Sequence, residues 1–71
     1  MNKNNIIKEV NQHKGERLHF IYNGSRNQKE DFFGIIENTY NSIFIIRIEG
    51  SNVIKTFTYN DVINKNLQFF I

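Results

Sequence analysis

Few residues of this 71-residue chain could do covalent chemistry, and no pattern frames them. Hydrolysis needs a nucleophile and a base within hydrogen-bond reach, or paired carboxylates whose pKa values are driven apart. Ser25, Ser42 and Ser51 all fall in predicted turns, where serine is common for local hydrogen-bonding reasons. His13 follows a predicted helix, and His19 lies on the polar face of a predicted strand. Glu30 and Asp31 are adjacent, so on a strand they point to opposite faces and cannot work as a close pair. There is no cysteine, and two histidines alone do not make a zinc site. Gly24 stands by itself and does not form a phosphate-cradling loop. The residues predict a protein without enzymatic activity, cofactor or metal.

Other residues could bind. Arg17, Arg26, Lys29, Arg47 and Lys55 are candidate contacts to an anionic partner. His19 and the exposed members among Tyr22, Tyr40 and Phe70 could stack on nucleic-acid bases. The blander reading is that spaced basic residues keep strands soluble and guard sheet edges. The net charge is only +2 with a pI near 9.1, and Glu16, Glu30, Asp31, Glu37, Glu49 and Asp61 dilute the field. That balance favours a protein partner over nucleic acid, which stays as the alternative. Apolar surplus points the same way. Phe32 and Phe33 are adjacent, as are Phe69 and Phe70, so one of each pair faces away from a strand's core side. Ile35, Ile43 and Ile45 raise the same question. Outward residues of this kind are covered by a helix or form a partner or homodimer surface.

The elements that position these groups are short. Asn4–Gln12 is the helical candidate, with Ile6, Ile7 and Val10 on one stripe and Gly15 placed to stop it. Five strand-like runs follow. Arg17–Asn23 puts Leu18, Phe20 and Tyr22 on one face. Asp31–Tyr40 carries Gly34, an isolated glycine that predicts a bulge or sharp bend. Ile43–Glu49 aligns Phe44, Ile46 and Ile48. Val53–Tyr59 aligns Val53, Phe57 and Tyr59. Leu67–Ile71 aligns Leu67, Phe69 and Ile71. The Asn41-Ser42 and Gly50-Ser51-Asn52 connections are too short for anything but antiparallel neighbours. Asp61–Asn64 predicts one 3₁₀ turn with Asp61 at its start. The layout is a mainly β, SH3-like or Sm-like five-stranded barrel, with the helix at about 4–12 and the barrel at about 16–71. An OB-fold would need a helix where only Gly50-Ser51-Asn52 stands.

A chain of this length makes a single domain and buries only about 60% of its unfolded surface. Twelve Ile and seven Phe must supply the core. No apolar run is long enough to span a membrane, and Asn2-Lys3-Asn4-Asn5 does not open a signal peptide, so a cytoplasmic location is expected.

These residues resemble the Veg family of low-GC Gram-positive bacteria. The resemblance rests on Gly15-Glu16-Arg17, Gly24-Ser25-Arg26, Gly34, the run Glu37-Asn38-Thr39-Tyr40-Asn41-Ser42-Ile43-Phe44, and Tyr59-Asn60-Asp61-Val62-Ile63. Gly34, Tyr40, Phe44, Tyr59 and Asp61 are its structural motif positions. The chain departs from the family where a basic residue is usual and Phe32 stands, and where the turn's usual proline is Asn41. Its loop is also less basic, reading Arg26-Asn27-Gln28-Lys29. The resemblance implies a small regulatory protein that stimulates biofilm formation and influences transcription through contact with another protein. It implies no enzymatic activity.

Overall fold

In the computed structural model, which describes residues 3–24 and 28–70, a helix α1 (Lys3–Gln12) precedes five strands. These are β1 (Arg17–Asn23), β2 (Lys29–Thr39), β3 (Ile43–Ile48), β4 (Ile54–Thr58) and β5 (Leu67–Phe70), with a short helix α2 (Tyr59–Ile63) between the last two. They form one antiparallel sheet in the order β4-β3-β2-β1-β5. The alternation legible in the sequence is the cause. Leu18, Phe20, Ile36, Phe44, Ile46, Phe57 and Leu67 face inward and are buried. Ile6 and Val10 on α1 close one side of that core.

The sheet is strongly curled. In a flat sheet β4 and β1 would lie three strand spacings apart, about 14 Å. The rings of Phe57 on β4 and Tyr22 on β1 are 5.4 Å apart. Lys55 on β4 also reaches past β3 to Glu30 on β2, at 2.9 Å. Two features of β2 permit this. A Cβ on Gly34 would sit 2.7 Å from Ile46 Cγ2 and 2.8 Å from the Arg47 carbonyl oxygen, so β2 and β3 approach where only glycine fits. The bulge itself is not at Gly34 but between Ile36 and Asn38, where Glu37 is the extra residue that bends the strand.

The element before β5 also differs from expectation. It is an α-helical turn that begins at Tyr59, not a 3₁₀ turn that begins at Asp61. Thr58 is its N-cap. The Thr58 side chain accepts from the Asp61 N–H, and the Asp61 carboxylate accepts from the Thr58 N–H, both at 3.1 Å. Asp61 therefore stands at the third helical position. Tyr59 is drawn into this helix instead of ending the strand because its ring is fully buried, 5.3 Å from Phe44, and its hydroxyl donates to the Tyr40 carbonyl at 3.0 Å. Val53 also departs from its expected inward place: it precedes β4 and is exposed. Tyr40, at the β2–β3 turn, is exposed through its side chain while its backbone anchors Tyr59.

Candidate interaction surface

The side chains that alternate away from the core make an open face on the convex side of the sheet. The ladders place Phe70, His19 and Phe33 in one row across β5, β1 and β2. The next row runs Arg17, Ile35, Arg47 and Ile54 across β1, β2, β3 and β4. Phe33 is 42% exposed, Phe70 47% and Ile54 55%, so the large apolar groups here face solvent. The rings are organised among themselves. His19 stacks on Phe33 at 4.8 Å and lies 5.8 Å from Phe70. The Arg17 guanidinium lies 4.3 Å from the Phe33 ring centre, within cation–π range. The N-terminal helix α1 enters the core through Ile6 and Val10, and its Ile6 and Glu9 line a pocket together with Phe70 at one end of this row. Phe32, the inward member of its pair, stacks with Phe20 and Phe57 inside.

Charges on the face are paired locally. Arg17 Nε donates to Glu49 at 2.9 Å. Arg47 pairs with Glu37, the bulge residue, and His19 pairs with Asp31. The face thus mixes both signs and is not a positive field. Lys55 lies on the inner-face row, at the open mouth of the curled sheet. There its bond to Glu30 bounds a cavity of about 230 Å³ that Phe32, Ile48 and Val53 also line. Glu30 and Asp31 point to opposite faces, Glu30 toward Lys55 and Asp31 toward His19.

The five candidate anionic contacts do not form one cluster: Lys55 is on the inner-face row. Arg17 and Arg47 flank Ile35 in register. Lys29 pairs with Asn23 at the opposite end of the β1–β2 ladder, about 20 Å from Arg17 by strand rise. Arg26 lies outside the described residues. Sequence reasoning singled out Phe33, Phe70, Ile35 and His19 through adjacent aromatics and alternation. It missed Ile54 and the pairing of Arg17 with Glu49 and of Arg47 with Glu37, whose partners are not sequence neighbours. Among the described residues there is no group of three or more His, Asp or Glu side chains placed to hold a metal ion. Ser51 Oγ accepts from the Val53 N–H at 3.3 Å, which closes its own turn. No helix among them is long and apolar enough to cross a membrane.

Fold and face together define a small five-stranded antiparallel β domain whose most distinctive surface is an aromatic, ion-paired sheet face. The family model described as "Biofilm formation stimulator VEG" matches residues 2–69, and the chain belongs to that family. A search of curated proteins found no match.

Proposed function

We propose that this protein is a small, non-enzymatic, cytoplasmic regulator that stimulates biofilm formation and influences transcription by contact with another protein. Membership of the Veg family supports the biofilm part of that reading. The observation that carries the contact part is the outer face, where Phe33, Phe70, Ile35 and Ile54 are exposed while Arg17 and Arg47 are already ion-paired. Exposed aromatic and aliphatic groups ringed by polar residues are the usual composition of a protein-binding patch. A surface built for phosphate would leave its cations available, because counterion release is what drives that binding.

The alternative is a nucleic-acid-binding barrel, in which His19, Phe33 and Phe70 stack on bases. The cation–π contact of Arg17 and the ring row favour it. Lys29, the first residue of β2, and Arg26, just before it in the sequence, are the other candidates for phosphate. Two or three neutralised phosphates would give a salt slope of only about −2 to −3 in log–log units. Charges of that number are enough to steer association with an acidic protein surface. Titration of the wild type with DNA and RNA at physiological salt is expected to show no tight complex. Arg26→Glu with Lys29→Glu is expected to slow partner association and leave the fold intact. Sub-micromolar nucleic-acid binding that this double variant abolishes would put the alternative first.

A further inference from the structure

We propose that the partner of the outer sheet face is, in the resting state, a second copy of this chain, docked about a two-fold axis. The inference rests on reading this face as a protein-binding surface. Its basis is charge complementarity. A few basic charges can steer the approach of an acidic surface, but an acidic partner held on this face would need it to be net positive, and nucleic acid would need free cations. This face offers Arg17 and Arg47 together with Glu49, Glu37 and Asp31. A surface with both signs interspersed around an apolar centre is complementary to itself. In an isologous contact each residue meets its counterpart's partner and the reverse. Phe33 then packs on the apolar row of the other copy, and the Arg17–Glu49 and Arg47–Glu37 pairs of one copy meet carboxylates and guanidiniums of the other.

Size sets the strength. The molecule measures 29 × 28 × 20 Å, so no face offers much more than the roughly 800 Å² per partner of a standard interface. The dimer therefore uses most of this face and is reversible. A small domain with a limited core also gains stability from such association. A regulator held in this way is released by dilution or displaced by a competing surface.

The test is sedimentation equilibrium of the full chain over about 1 µM to about 1 mM, a range that brackets weak and moderate association. The wild type is expected to move from 8.5 kDa toward twice that mass as concentration rises. Phe33→Glu and, separately, Ile54→Glu are expected to raise the dissociation constant about thirtyfold or more, as truncation of an interface centre does. Circular dichroism checks that each variant is folded, and Ile54, on an edge strand, serves if Phe33→Glu fails to fold. A wild type that stays at 8.5 kDa throughout overturns the inference, as does a dimer that both folded variants leave unchanged. So does a monomer whose outer face binds a single-stranded oligonucleotide through Phe33. A monomeric wild type that still captures a protein through Phe33 sinks the dimer and leaves the regulator reading standing. A dimer through this face, with no other partner captured, does the reverse.

Discussion

Gly34 shows how much one missing atom decides. Its Cβ would meet a methyl of Ile46 and the backbone oxygen of Arg47, both under 3 Å away. The methyl could turn aside, but the backbone oxygen could not without opening the β2–β3 ladder. Gly34→Val is expected to destabilise the domain by about 1–3 kcal/mol, and Gly34→Ala by less. A thermal melt checks this, since each kcal/mol lowers the midpoint by about 4–8 °C at this size. An unchanged melting temperature in a soluble Gly34→Val variant would remove the close-approach reading. Thr58 and Asp61 are the other informative pair. Each satisfies a backbone N–H near the start of α2. Loss of either side-chain acceptor, Thr58→Ala or Asp61→Ala, should cost roughly 0.5–2 kcal/mol, whereas Asp61→Asn should cost less because an acceptor remains. If both Asp61 variants keep full stability and lose partner binding equally, Asp61 is a contact residue and not a cap.

The five strands and α1 were legible because alternation and helical spacing are local properties of the chain. Leu18/Phe20, Phe44/Ile46 and Leu67 followed their pattern into the core. The α2 helix was harder to read. Its signature, a threonine three residues before an aspartate, was present at Thr58 and Asp61. It was overridden by the strand-like alternation of Phe57 and Tyr59, which continues across the boundary. The bulge at Glu37 was also hidden, since glycine is the usual sign of irregularity and Gly34 lies three residues away. The candidate face was half legible. Adjacent phenylalanines must split between two faces, which singled out Phe33 and Phe70. The Arg17–Glu49 and Lys55–Glu30 pairs span 32 and 25 residues, so no local pattern could announce them.

Tyr59 ties three elements together and gives a test at that scale. Its hydroxyl donates to the Tyr40 carbonyl, and beside it the Thr39 hydroxyl donates to Asn11 on α1. Burial pushes the phenol above its ordinary pKa of 10, while hydrogen bonds with Asn11 and Thr39 oppose the shift. A raised pKa means that folding favours the neutral phenol. That contribution is complete below the unfolded pKa and is lost as pH rises through the folded value. Tyr59→Phe removes both the hydrogen bond and the ionisation. At neutral pH the wild type should be more stable by about 0.5–1.5 kcal/mol. The gap should narrow as pH rises from about 8 to about 11. Denaturant melts of both proteins across that range check it, and a gap that stays constant would show that Tyr59 ionises as freely folded as unfolded.

For the whole molecule, curling is the consequence that matters most. It gathers inward rings from all five strands into a compact core and leaves the outward residues of the same strands as a convex surface. The exposed rings Phe33 and Phe70 and the ion pairs of Arg17 and Arg47 lie on that outer surface. The outer face is proposed to bind protein. Affinity capture from native lysate, with and without nuclease, is the test when wild type and folded Phe33→Glu are compared side by side. A protein partner, or further copies of this chain, is expected to stay on the wild type after nuclease and to be lost by the variant. Loss of every partner from the wild type on nuclease treatment, or equal capture by Phe33→Glu, would contradict it.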